Sequence, residues 1–217
     1  MVKAVVFDFD GVLADSEPLH LAAAQEVFAS LGLTLTREDY YARYLGFDDE
    51  TMFRALTDDR GWTFSADQVT ALVVEKARVF DAVIQRNDVL FPGAAECIAR
   101  LAGEFPLGIA SGALRHEIEM ILKRAHLDRH INFIVASGDT PNSKPAPDPY
   151  ARAAALHGVP PGDCVAIEDS RWGIESAKAA GLKCVGITTT YPAPELASAD
   201  RVVASLDEFT ADLIRKL

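Results

Sequence analysis

Apolar residues fall in two textures along the chain. Lys3 to Phe7 (KAVVF) is a short, β-branched run without alternation, and it stops at a polar cluster of Asp8, Asp10 and Gly11. That pattern predicts a buried strand ending in a functional loop. From about Pro18 to Gln85 the period is helical and no strand is expected. Pro18 to Leu31 is rich in alanine and stops at Gly32. Thr36-Arg37-Glu38-Asp39 and Ser65-Ala66-Asp67-Gln68 both carry helix-start signals. The second is a capping box, in which each end residue's side chain accepts the other's backbone N–H. Val69 to Ile84 then continues as a long amphipathic helix.

After Phe91-Pro92-Gly93 the texture changes to strand–helix alternation. The expected strands are Leu107–Ala110, Ile131–Ala136, Val165–Ile167, Cys184–Ile187 and Val202–Ala204. Helical stretches near 94–102, 115–125, 148–157, 172–180 and 207–216 separate or follow them. Strands that do not alternate, each followed by a helix, imply a parallel sheet covered on both faces. The expected architecture is α/β, a parallel sheet flanked by helices, with an all-helical insert after the first strand.

Composition narrows the function classes. At 217 residues, 49% hydrophobic and 24% charged, the chain is ordinary globular material. Twenty-one basic against 32 acidic residues give a net charge of −11, which argues against nucleic acid as a partner. Cys97, Cys164 and Cys184 form no CxxC or Cys/His cluster, and the last two open apolar runs. Buried free thiols in a reducing, cytoplasmic compartment are expected. No apolar stretch approaches the ~20 residues of a spanning helix, and MVKAVVFDFDG lacks a secretory apolar segment, so no membrane association is expected.

Parallel open sheets place their sites beyond the carboxyl ends of the strands. Reading there gives Asp8 and Asp10 after the first strand, and Ser111 and Gly112 after Leu107–Ala110. Glu168, Asp169 and Ser170 follow Val165–Ile167, and Asp139 and Lys144 lie in the loop after Ile131–Ala136. Asp8 and Asp169 offer hard oxygen ligands suited to Mg²⁺. A carboxylate is also a competent nucleophile toward phosphorus, giving an aspartyl-phosphate. Asp10, two positions on, is placed for general acid/base work. Ser111 and Lys144 would hold the remaining phosphate oxygens, with the lysine supplying fixed positive charge. Each feature has a bland alternative when taken alone. Ser111-Gly112 could be a turn or helix cap, Lys144 a surface lysine, and Glu168-Asp169-Ser170 a helix start. Their coincidence at matched strand ends favours the chemical reading.

DFDGVLADSE from Asp8, ASG at 110–112, SKPAPDPY at 143–150 and IEDSRWGIESAKAAG at 167–181 resemble the four motifs of haloacid dehalogenase-like hydrolases. Their order and separations fit, and the likeness spans essentially the whole chain. It looks nearest to the phosphoglycolate phosphatase-like and β-phosphoglucomutase-like branch. The resemblance implies a Rossmann-like core of residues 1–14 and 88–217, with a small helical cap at 15–87. It implies Asp8 as nucleophile, Asp10 as general acid/base, and Ser111, Gly112 and Lys144 as substrate binders. It also implies Mg²⁺ on the Asp8 side chain, the Asp10 carbonyl and Asp169, with Glu168 helping through water. Dehalogenases of this type lack the second aspartate, so Asp10 argues for phosphate chemistry.

Two departures bear on substrate. Where mutase-like members carry a phosphate-gripping arginine after a glycine, this chain has Gly46-Phe47-Asp48-Asp49-Glu50. His20 is retained as a further substrate-binding candidate, and Lys76 and Arg43 are cap residues that could also reach a substrate. The expectation is a Mg²⁺-dependent phosphatase of small phosphorylated metabolites, a monomer or weak dimer. A phosphosugar mutase is the alternative, and a catalytically idle binding protein a more distant one.

Overall fold

The KAVVF run forms the strand β1 (Ala4–Phe7), with every residue buried, as a strand covered on both faces requires. The structure is a computed structural model that describes residues 1–44, 49–61, 63–86 and 88–217. Its chain divides into two units, Met1–Asp15 with Val89–Leu217, and Ser16–Asp88.

In the first unit β1 is joined by β2 (Leu107–Ala110), β3 (Ile131–Val135), β4 (Cys164–Glu168), β5 (Lys183–Ile187) and β6 (Arg201–Val203). All pairings are parallel, in the order β3-β2-β1-β4-β5-β6. Each strand lies within one residue of its expected bounds at either end. Glu168, expected just past a strand, is the last residue of β4. Because β1 is followed on one side by β2 and on the other by β4, the chain order reverses between β1 and β4. A crevice at the carboxyl ends of strands forms at such a switch point.

The second unit holds α1 (Glu17–Ser30), the three-residue α2 (Arg37–Asp39), α3 (Asp49–Arg60) and α4 (Ala66–Ile84). Thr36 caps α2, which passes directly into a π-turn at Tyr40–Tyr44. The capping box at Ser65 and Gln68 is formed, with contacts of 2.8 and 3.3 Å. The apolar stripe of α4 buries Val69, Leu72, Val79, Phe80 and Ile84, and Lys76 lies on that same stripe. Phe28 of α1 meets Phe53 of α3 with ring centres 5.3 Å apart.

The core helices are α5 (Ala94–Ala102), α6 (Arg115–Arg124), α7 (Asp148–His157), α8 (Arg171–Ala179) and α9 (Ala211–Arg215). Against one sheet face, α7 and α8 bury small residues, among them Ala153, Ala154 and Ala177, together with Tyr150 and Ile174. The continuous helix expected over 207–216 is broken in two. A 3-10 turn at Leu206–Glu208 ends at the extended, buried Phe209, and Thr210 then caps α9. Arg100 donates to the carbonyls of Leu206 and Phe209 at 2.9 Å each, so those acceptors are satisfied outside a helix. Among the described residues, no helix is long and apolar enough to cross a membrane.

Candidate active site

The loop leaving β1 is built around one carbonyl. Phe9 O accepts the N–H groups of Val12, Leu13 and Ala14 at 3.4, 2.8 and 3.0 Å. This tight turn places Gly11 at φ +76°, a left-handed conformation that glycine adopts without penalty. Space is equally decisive there, since a Cβ on Gly11 would lie 1.9 Å from Asp169 Oδ2. Asp10 is half-buried in this loop and forms a bridge pair with Ala14. The segment that leaves the core then pairs with the one that returns: Asp15 N–H donates to Val89 O at 2.7 Å, and Phe91 N–H to Leu13 O at 2.9 Å.

Asp8 is fixed at the strand end by its own backbone. Its N–H donates to Ile167 O at 2.9 Å, and its Oδ1 accepts the Phe9 N–H at 2.7 Å. Lys144 reaches the same oxygen from the β3–α7 loop, with Nζ 2.9 Å from Asp8 Oδ1 and 2.6 Å from Glu168 Oε1. Its side chain is 14% exposed, so it is no surface lysine. Glu168 is wholly buried and receives donors on both oxygens. Oε1 takes the Tyr150 hydroxyl at 2.6 Å besides Lys144, and Oε2 takes the Ser170 hydroxyl at 3.1 Å and its N–H at 3.4 Å. Ser170 also caps α8, accepting the Gly173 N–H. Asp169 is buried, and the Thr190 side chain hydrogen-bonds to it.

Ser111 stands at the carboxyl end of β2, beside β1 in the sheet. It is buried, donates its N–H to Val135 O at 2.9 Å and accepts the Ala113 N–H on its hydroxyl at 3.1 Å. Nothing lies within 4 Å of where a Gly112 side chain would begin. Asp139 has a structural task, because its Oδ2 accepts Arg115 at 2.6 Å and the Ala136 N–H at 2.9 Å.

The electrostatics follow from three carboxylates and one ammonium out of water. Burial, then the neighbouring Glu168, holds the Asp8 carboxyl well above its usual range, although Lys144 opposes this. Burial and Glu168 push Asp169 up to about 7. Burial acts against the Lys144 charge, yet Asp8 and Glu168 outweigh it and keep the ammonium protonated beyond its ordinary range. Ionising all three acids would place more negative charge here than one lysine neutralises, and the raised values of Asp8 and Asp169 reflect that cost. Asp8, Glu168 and Asp169 each offer an oxygen within 4.8 Å of the others. Oxygen-only donors with surplus charge fit a hard divalent cation.

The contacts thus bring together Asp8, Glu168, Asp169 and Lys144 of the residues expected from sequence. Tyr150, Gly173 and Thr190 were not anticipated. Thr190 had a legible signal, since it follows the end of β5, where the strand-end rule applies equally.

His20 lies in the helical unit. Its ring stacks on Phe80 at 4.0 Å, and its Nδ1 is 3.1 Å from Lys76 Nζ. Burial and the Lys76 charge drive its pKa down to about 3, so the imidazole is neutral. Lys76, 2% exposed, makes an ion pair with Asp49. The guanidinium of Arg43 lies 5.7 Å from the Tyr44 ring centre. Of the stretch that stands in place of the mutase-like arginine, Gly46, Phe47 and Asp48 lie outside the described residues. Asp49 and Glu50 instead begin α3, where Asp49 is engaged by Lys76 and Glu50 by Arg54 one turn on, at 2.7 Å. Both acids thus have a cation of their own unit as partner.

Known proteins share this sequence and fold. The model of the haloacid dehalogenase-like hydrolases matches residues 2–181. Hexitol phosphatase B of Escherichia coli (strain K12) is 32% identical over 218 residues, covering 97% of this chain and 95% of its own. Protein SUPPRESSOR OF QUENCHING 1, chloroplastic, of Arabidopsis thaliana is 32% identical over 198 residues, which are 87% of this chain but only 18% of that protein. Among solved structures, CbbY from Rhodobacter sphaeroides in complex with phosphate superposes with a TM-score of 0.84 at 29% identity, covering 96% of each chain. The match to the family model across most of its length, on a parallel sheet with its acids at the switch point, makes this chain a member of the haloacid dehalogenase-like hydrolases.

Proposed function

We propose that this protein is a magnesium-dependent phosphatase of small phosphorylated metabolites, with Asp8 as its nucleophile. One observation carries the reading: a buried carboxylate at a strand end, Asp8, lies 2.9 Å from the buried Lys144 ammonium and beside two further carboxylates. That arrangement suits a dianion whose charge must be matched before a carboxylate can attack it. Relatives that include a hexitol phosphatase, and a solved relative that holds phosphate, support the substrate class.

An Asp8 carboxylate oxygen attacks phosphorus, the bond to the ester oxygen breaks, and a phosphoaspartate forms. Asp10 gives its proton to the departing oxygen. It then takes a proton from the water that attacks the phosphoaspartate, so that inorganic phosphate leaves and Asp8 is restored. Lys144 and the Ser111 hydroxyl hold the other phosphate oxygens, with Gly112 leaving them room. The Asp8 and Asp169 side chains and the Asp10 carbonyl would hold magnesium, Glu168 through water, and the bound ion cancels repulsion between Asp8 and phosphate. The charge of −11 speaks against nucleic acid substrates, and three free, buried cysteines suit a reducing cytoplasm.

The test is phosphate release from a panel of hexitol, hexose and pentose phosphates and phosphoglycolate, with magnesium and with chelator. Magnesium-dependent release from a sugar or polyol phosphate is expected. No release from any member overturns the reading.

A further inference from the structure

We propose that Tyr150 is a positioning residue of the phosphate site, whose hydroxyl keeps Lys144 shared between Glu168 and Asp8. The proposal rests on the phosphatase reading and adds a residue to it. Tyr150 is wholly buried in the first turn of α7, among small residues that include Ala153 and Ala154. A phenylalanine ring would fill that space without the cost of burying a hydroxyl. The hydroxyl is instead spent on one acceptor, Glu168 Oε1, at 2.6 Å.

That acceptor is contested. Lys144 Nζ approaches the same oxygen at 2.6 Å, and Asp8 Oδ1 at 2.9 Å. The Glu168 carboxylate has no freedom to turn away. Ser170 holds its other oxygen, and the absent Gly173 side chain leaves space for it and nothing more, since a Cβ there would lie 1.9 Å from its atoms. The balance of the ammonium between two fixed carboxylates is therefore set by how fully each is otherwise satisfied. Tyr150 supplies Glu168 with a second donor on Oε1, which weakens its pull on Lys144. Without the phenol, Oε1 keeps Lys144 alone, and the ammonium is drawn off Asp8 and away from the phosphate it would grip. The ring, 5.0 Å from Nζ, remains beneath the ammonium in either case.

The experiment compares the full chain with Tyr150→Phe, which keeps the ring. Inorganic phosphate binding in magnesium is measured by calorimetry well below the melting temperature, and the crystal structure of each protein is determined. Expected are a phosphate affinity about three- to tenfold weaker, the range of one hydrogen bond, and a Lys144–Asp8 separation beyond about 3.5 Å, outside hydrogen-bond range. A role in packing alone would lower the melting temperature and leave affinity in the folded protein untouched. Affinity within about twofold of the unsubstituted protein, or weakened affinity with Lys144 still against Asp8, overturns the proposal. Phosphate release from esters by the unsubstituted protein reports on the phosphatase reading separately. A protein that binds phosphate yet releases none from any ester sinks that reading and leaves the Tyr150 comparison to stand or fall by itself.

Discussion

Gly173 and Glu168 are packed face to face, so closely that a Cβ on the glycine would lie 1.9 Å from the carboxylate carbon and both its oxygens. This glycine is there for space, not for its backbone angle. Gly173→Ala must displace a buried carboxylate that holds Lys144, Tyr150 and Ser170. Overpacking of this kind costs about 1–3 kcal/mol, and the displaced Glu168 should take phosphatase activity with it. Gly162→Ala is the control, because nothing lies within 4 Å of a Cβ there. Thermal melts and activity of the two variants check the contrast; a fully active Gly173→Ala protein contradicts it.

Asp8→Asn should abolish turnover without unfolding the protein. Burial and Glu168 already hold the Asp8 carboxyl above its usual range, so its charge is a burden to the folded state. Without metal, the amide variant should melt at or above the temperature of the unsubstituted protein. Appreciable hydrolysis of p-nitrophenyl phosphate by folded Asp8→Asn would remove the covalent mechanism.

Asp10→Ala should slow hydrolysis of an alkyl phosphate by roughly 10²–10⁴, the range of a positioned acid/base. The loss should shrink with p-nitrophenyl phosphate, whose leaving group needs no proton. Equal losses on both substrates would argue against proton transfer by Asp10.

Sequence reading reached Asp8, Lys144 and Asp169 because each obeys a one-dimensional rule: it follows a strand in a parallel sheet. Tyr150 and Gly173 obey no such rule. Their parts are set by Glu168, which β4 carries into the space between α7 and α8. The ion pair of Asp49 with Lys76, 27 residues apart, was hidden for a related reason. Asp49 reads as a loop acid until α3 forms, although Lys76 at the stripe spacing of Leu72 and Phe80 was a visible anomaly. The split of the last helix was missed because its cause, Arg100 taking the Leu206 and Phe209 carbonyls, comes from a residue more than 100 positions away.

Magnesium should stabilise the protein more as pH rises. An acid with a raised pKa binds its proton more tightly in the folded state, so stability falls as pH climbs from the unfolded value of about 4 toward about 7 at Asp169. A bound cation relieves the same charge. The melting-temperature gain on adding magnesium to chelated protein should therefore increase from pH 5 to pH 8. His20 works in the opposite direction: its pKa is lowered to about 3, so stability is lost on acidification below its ordinary value near 6.5. Both samples share that loss, and the difference removes it. A gain that is flat or falls with pH would contradict surplus charge at Asp8 and Asp169.

The pair of Asp49 and Lys76 should behave asymmetrically. The Lys76 side chain is 2% exposed and that of Asp49 26%, so water can rescue the acid but not the ammonium. Asp49→Asn leaves the ammonium facing the neutral His20 ring nitrogen at 3.1 Å. Removing one partner of a fully buried pair costs 3–5 kcal/mol; discounted for the exposed side, about 1–3 kcal/mol is expected here. Lys76→Met should cost less, because the carboxylate it abandons is partly solvated and methionine suits an apolar stripe. The double variant should be more stable than Asp49→Asn alone, and a cycle of thermal melts measures this. Additive losses would mean that the two side chains do not depend on one another. The same geometry decides what Asp49→Arg does. It sets a second cation against a buried ammonium instead of creating a grip for a second phosphate. A lower melting temperature is expected, with no tighter binding of sugar bisphosphates. Tighter bisphosphate binding in a stable Asp49→Arg protein would show that the new side chain turns away from Lys76, and that the pair does not fix the start of α3.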